Sequence, residues 1–176
     1  KDYIKLSLNI MSYFNIKNYF KENTIEISNN KLKDKKYIIE GDWSCAAYWY
    51  NLASCSKSCN IKLYNLNLDS QQSDKVVKDL YNKINVKTIA GNNYIQIIKK
   101  DQKITSKNYN LINSPDLFPS ILTTCCINKI KIKLSGIEHL KYKESNRINA
   151  MKNELKKTGA FLIKKNKYYE LDFHKS

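Results

Sequence analysis

The stretch Lys143-Glu144-Ser145-Asn146-Arg147 packs two cations and one acid into five residues. Arg147 is the one arginine of a chain whose other basic residues are all lysine and whose formal net charge is +15. A guanidinium is a planar, permanently charged fork that grips a carboxylate or phosphate through two parallel hydrogen bonds. An ammonium on a flexible stem cannot copy that grip. A helix beginning at about residue 144 or 145 brings Lys143, Glu144 and Arg147 to one end, where the positive end of the helix dipole helps the cations attract an anion. Glu144 is out of place in a simple anion trap. An acid among cations beside a bound anion suits proton transfer, with its neighbours tuning its pKa. The competing reading is an exposed i,i+3 ion pair at a helix start, which is common and weak.

A second carboxylate of interest lies in Ser114-Pro115-Asp116-Leu117-Phe118-Pro119. Asp116 reads either as the N-cap of the apolar helix that follows, with Pro119 tolerated in its first turn, or as part of a site. Asp42 occupies the matching point of an earlier segment, Glu40-Gly41-Asp42-Trp43-Ser44. If the fold is duplicated, both helix openings face the same side, and Asp116 comes near Lys143 to Arg147.

The elements that must position these groups are written twice, with an offset of about 70 residues. The first copy has a helix over 44–53, a strand over 60–64, a helix over 73–84, and strands near 86–89 and 94–98. The second has a helix over 117–128, a strand over 131–134, a helix over 145–158, and strands near 160–163 and 168–171. Val76, Val77, Leu80 and Ile84 recur at helical spacing, as do Ile148, Met151 and Leu155. The strands are read from alternation and β-branched content. Before Asp42 the pattern gives a helix over 2–14 and strands near 24–27 and 37–39. The expected class is therefore α/β, with units of about 42–100 and 105–176 and a boundary near Gly41.

Composition sets limits on function. With 42% hydrophobic residues in 176, the chain can bury a core. No apolar run is long enough for a membrane span, and residues 1–20 are too often interrupted by Lys and Asn for a secretory signal, so a cytoplasmic protein is expected. Cys45, Cys55, Cys59, Cys125 and Cys126 lack paired C-x-x-C spacing, and only His139 and His174 could join them. Reduced thiols and no metal site are expected. The lysines are spread evenly rather than gathered in a stripe, which argues for solvated surface and attraction of small anions rather than nucleic-acid binding.

These segments together resemble the 5-enolpyruvylshikimate-3-phosphate synthase family. Gly136-Ile137, Lys143-Glu144-Ser145-Asn146-Arg147-Ile148 and Glu154-Leu155-Lys156-Lys157-Thr158-Gly159-Ala160 are similar to its signature of a Gly, a Lys-Glu-Ser/Thr-Asp-Arg core and a helix ending in Gly-Ala. Glu40-Gly41-Asp42-Trp43-Ser44-Cys45-Ala46-Ala47-Tyr48 resembles its Glu-Gly-Asp-x-Ser-x-Ala-x-Tyr element, and Pro115-Asp116 its catalytic aspartate segment. The resemblance implies a fold of two lobes, each built from three βαβαββ units around an active-site cleft. Residues 1–40 would end the first lobe, and 41–176 would form part of the second.

The implied reaction moves the enolpyruvyl group of phosphoenolpyruvate to the 5-hydroxyl of shikimate 3-phosphate and releases phosphate. The implied enzyme is monomeric and needs no cofactor, and neither nucleic acid nor membrane is an expected partner. By position, Asp116 resembles the residue that binds shikimate hydroxyls and accepts the proton of the attacking one. Glu144 resembles the proton donor and acceptor at the phosphoenolpyruvate methylene. Arg147 resembles a phosphoenolpyruvate ligand, Lys143 a shikimate 3-phosphate ligand, and Tyr3 a tyrosine near the shikimate ring. His139 stands where an asparagine often helps to bind the shikimate phosphate, and Asn146 replaces the usual aspartate of the signature. The family is more than twice this length, so the chain alone is expected to be inactive or nearly so. Competing readings are the related transferase acting on UDP-N-acetylglucosamine and a basic, non-catalytic nucleic-acid-binding remnant.

Overall fold

A computed structural model describes residues 2–28, 31–102 and 108–173. The boundary expected near residue 105 lies outside them, as does His174. The chain opens with helix α1 (Asp2–Tyr13) and a hairpin of β1 (Asn18–Lys21) and β2 (Thr24–Ile27), turned at Glu22 with φ 56°. Helix α2 (Trp43–Cys55) follows, then β3 (Asn60–Tyr64). A 3-10 turn (Ser73–Val76) runs into α3 (Val77–Ile84), which leads to β4 (Val86–Gly91) and β5 (Tyr94–Lys99). The second series is β6 (Asn108–Asn110), a 3-10 turn (Pro115–Leu117), α4 (Phe118–Ile127) and β7 (Ile132–Ser135). It continues with a 3-10 turn (Glu138–Tyr142), α5 (Arg147–Lys157), β8 (Ala160–Lys164) and β9 (Tyr169–Phe173).

Each series closes its own sheet. The first has the order β3-β5-β4, all antiparallel. The second has the order β6-β7-β9-β8, with β6 parallel to β7 and the other pairs antiparallel. Helix α3 buries Val77, Tyr81 and Ile84, so Tyr81 joins the expected stripe, while Val76 and Leu80 are only partly buried at its edge. The buried side chains of both series form one continuous hydrophobic cluster.

Helices α2 and α4 meet at its centre. Ala46, Ala47 and Ala53 are buried on α2, and these small side chains allow close approach. The amide of Asn51 locks the pair, donating to the Ser120 carbonyl (2.9 Å) and to Thr124 Oγ1 (2.7 Å) on α4. Tyr81 and Thr124 share a further hydroxyl pair at 2.8 Å, so these polar groups between the helices are partnered.

Three expectations need correction. Residues 37–39 make no ladder. They lie exposed beside the end of β3, tied by Asn65 Nδ2 to the Ile39 carbonyl and by the Gly41 N–H to the Asn65 carbonyl. Ile38 and Ile39 have β-branched side chains but, among the described residues, no strand alongside to pair with. Strands β1 and β6 were not read from the sequence, being four and three residues long. Helix α5 begins at Arg147 rather than at 144 or 145, because Asn146 caps it by accepting the Asn149 N–H at 3.0 Å.

Candidate active site

A cleft of about 630 Å³ opens where the starts of α2, α4 and α5 converge, lined by Asp42, Ser44, Tyr48, Asp116, Lys143, Glu144 and Arg147 among others. Asp116 is not a helix cap. It sits in the middle of the 3-10 turn before α4, and its carboxylate is taken by other groups. Arg147 Nη1 donates to Asp116 Oδ1 at 2.6 Å, and Lys143 Nζ lies 3.8 Å from the same oxygen. The second fork of the guanidinium reaches Glu144 Oε2 at 3.2 Å. Tyr3 donates its hydroxyl to Asp116 Oδ2 at 3.3 Å, which brings α1 to the rim of the cleft.

Because α5 starts at Arg147, Lys143 and Glu144 belong to the turn before the helix. The acid and the arginine pair across the helix start rather than along it. Asn146, standing where the resemblance expects aspartate, supplies the cap through its amide oxygen, so the helix start is held without a further negative charge. His139 is on the 3-10 turn Glu138–Tyr142 and, among the described residues, is not one of those lining the cleft.

Charge shapes the proton affinities. Glu144 is held below the ordinary carboxylate range by the backbone N–H at its own position and by Arg147, with Lys143 adding to the effect. Desolvation works against the charge of Arg147, yet Asp116 and Glu144 outweigh it and raise its proton affinity. Desolvation, then the charges of Asp74 and Asp116, push the Tyr3 phenol up to about 12. The cleft lining thus combines the donors Lys143 and Arg147 with an acceptor-rich wall at the start of α2, Asp42 and Ser44.

The acceptor-rich wall was only partly visible in the sequence. Asp42 caps α2 by accepting the Ser44 N–H at 2.8 Å. What holds this helix start is a loop some thirty residues later. Gln72 Nε2 donates to Glu40 Oε1 and to the Gly41 carbonyl, while Gln72 Oε1 accepts the Trp43 N–H at 2.8 Å. Ser70 Oγ donates to Glu40 Oε1 at 2.7 Å, and the Trp43 indole donates to the Asn67 carbonyl at 3.2 Å. The polar run Ser70-Gln71-Gln72-Ser73-Asp74 before an apolar helix was the available signal, but Ser73 and Asp74 were read as helix and residues 70–72 as no element.

No cluster of three or more His, Cys, Asp or Glu that could hold a metal occurs among the described residues. No helix among them is long and apolar enough to cross a membrane.

The family model for EPSP synthase (3-phosphoshikimate 1-carboxyvinyltransferase) matches residues 1–172. Among similar curated proteins, all named 3-phosphoshikimate 1-carboxyvinyltransferase, that of Bacteroides fragilis is 29% identical over 167 residues, covering 94% of this chain and 41% of the relative. The protein of Buchnera aphidicola subsp. Baizongia pistaciae is 32% identical over 174 residues, 97% of this chain and 40% of the relative. That of Methanocaldococcus jannaschii is 34% identical over 173 residues, 94% and 38% respectively. The chain thus spans about two fifths of the length of the curated relatives it matches. With the match running from α1 through β9 and across every element that lines the cleft, the chain belongs to the EPSP synthase family.

Proposed function

We propose that this chain is part of an enzyme that transfers the enolpyruvyl group of phosphoenolpyruvate to the 5-hydroxyl of shikimate 3-phosphate, yielding 5-enolpyruvylshikimate 3-phosphate and phosphate. The observation that carries the reading is the Arg147 guanidinium, shared between Asp116 and Glu144 with Lys143 alongside. In this reading Asp116 takes the proton of the attacking hydroxyl as its oxygen bonds to C2 of phosphoenolpyruvate. Glu144 delivers a proton to C3. The tetrahedral adduct then returns a C3 proton to Glu144 and expels phosphate, restoring the double bond.

Arg147 holds the phosphoenolpyruvate anion, Lys143 contacts the shikimate phosphate, and Tyr3 lies against its ring, while His139, outside the cleft lining, is given no contact in this reading. In the empty cleft the lowered proton affinity of Glu144 keeps it ionised, which works against proton delivery until a ligand is bound. An anion that takes over the second fork of Arg147 removes part of what keeps Glu144 charged, so substrate binding arms the acid. Residues 1–40 then end one lobe and 41–176 form part of the other, the remaining phosphate-binding groups coming from outside this chain. The working enzyme is a cytoplasmic monomer.

The test is calorimetric titration of shikimate 3-phosphate and then phosphoenolpyruvate into the product of the complete reading frame, beside Arg147→Lys. Both ligands should bind, and the lysine variant should lose phosphoenolpyruvate selectively. Failure of the wild type to bind either ligand would refute the reading.

A further inference from the structure

Asp74 is a buried acid that the proposed chemistry leaves without a task. It lies in the 3-10 turn Ser73–Val76, 2% exposed. Its Oδ2 accepts the Ser44 hydroxyl at 2.5 Å, and its Oδ1 has no hydrogen-bond partner among the described residues. Burying a carboxyl with one oxygen unsatisfied costs stability, so its presence behind a cleft calls for a function. The ionisable groups around it come from four directions: Asp42 at the start of α2, Asp116 before α4, Lys143 before α5, and Tyr3 on α1.

A serine hydroxyl has one proton and two lone pairs. With that proton committed to Asp74, Ser44 can offer the cleft only lone pairs. Asp42, beside it, is likewise an acceptor. Such a wall repels phosphate and carboxylate oxygens and takes hydroxyl donors, while Lys143 and Arg147 elsewhere in the lining take anions.

We propose that Asp74 is a positioning residue that fixes the Ser44 hydroxyl as an acceptor, and that Ser44 in turn binds a ring hydroxyl of the polyol-phosphate substrate. The proposal rests on the enolpyruvyl-transfer reading, because that reading supplies a substrate with both hydroxyls and a phosphate. Burial, reinforced by the carboxylates of Asp116 and Asp42, raises the proton affinity of Asp74, while the Ser44 hydrogen bond and Lys143 oppose the rise.

The experiment measures KM for each substrate, and kcat, in the complete gene product carrying S44A, D74A, D74N and the double S44A/D74A. S44A and D74A should each raise KM for shikimate 3-phosphate about five- to tenfold, the value of one lost neutral hydrogen bond, and leave KM for phosphoenolpyruvate within twofold. The double variant should be no worse than either single one, and D74N should restore binding because its amide oxygen still accepts from Ser44. Should D74A fail to fold, S44A and D74N decide the question. Equal losses for both substrates, additive losses in the double variant, or an unchanged KM would overturn the role of Asp74 alone. A wild-type protein that does not bind shikimate 3-phosphate would overturn the enolpyruvyl-transfer reading and this proposal together.

Discussion

Arg147 and Asp116, 31 residues apart, meet at 2.6 Å and join the start of α5 to the turn before α4. The same guanidinium holds Glu144, whose side chain is 80% exposed against 26% for Asp116. Of the two partners of Arg147, Glu144 is therefore the looser and Asp116 the anchor.

Replacing Arg147 by lysine keeps a positive charge but removes the fork. One ammonium cannot serve Asp116 and an anion in two fixed directions. Phosphoenolpyruvate affinity should fall about 10- to 100-fold, corresponding to roughly 1.5–3 kcal/mol for hydrogen bonds to charged groups. Shikimate 3-phosphate affinity should change less than threefold. Calorimetry on the complete gene product reads both.

Asp116→Ala leaves Arg147 and Lys143 without their shared carboxylate and removes the group proposed to take the hydroxyl proton. The value of kcat should drop by about 10²- to 10⁴-fold, the usual contribution of a general base. Circular dichroism should stay unchanged. Wild-type turnover in this variant would remove Asp116 from the mechanism.

Gly136 follows β7 with φ +70°, and an added Cβ would meet the Ile112 backbone nitrogen at 2.6 Å and Asn110 Oδ1 at 2.5 Å. Alanine there combines a left-handed backbone penalty with a clash against main chain that cannot swing aside. Gly136→Ala should destabilise the fold by about 2–4 kcal/mol, read from urea melts.

Asp74 should leave a signature in the pH dependence of stability. Its proton affinity is higher folded than unfolded, so its contribution is complete below the unfolded value, about 3.9. That contribution is lost as pH rises through the raised folded value. The amide introduced by Asp74→Asn does not titrate. The stability of this variant relative to wild type should therefore increase as pH is raised from about 4, and a pH-independent difference in urea melts would contradict this.

The 176-residue chain by itself should release little or no phosphate from the two substrates, because it spans only about two fifths of the length of its curated relatives. Phosphate release measured beside the complete gene product decides the point.

What the sequence made legible follows from how each interaction leaves a trace. The helical spacing of Val76, Val77, Leu80 and Ile84 and the alternation in β3 and β5 are local patterns and marked their elements, although Tyr81 is buried with Val77 and Ile84 while Val76 and Leu80 are only partly covered. The start of α5 was misread by two or three residues because an asparagine cap looks like any polar residue until its oxygen meets the Asn149 N–H. Strand β6 has only three residues and is defined by pairing with β7, so no periodicity marks it. The Gln72 brace and the Ser44–Asp74 bond join segments about thirty residues apart through single side chains, which no period records. Asp116, Glu144, Arg147 and Asp42 stood out by residue type and position, whereas the pairing of Ser44 with Asp74 needed the fold.

The Asn51 amide, half-buried between α2 and α4, has a consequence for the distant mouth of the cleft. Its two hydrogen bonds to α4 cannot both survive a slip of one helix along the other by even one residue. Because Asp42 begins α2 and Asp116 precedes α4, this internal key works as a gauge block that sets the gap between the two carboxylates from beneath.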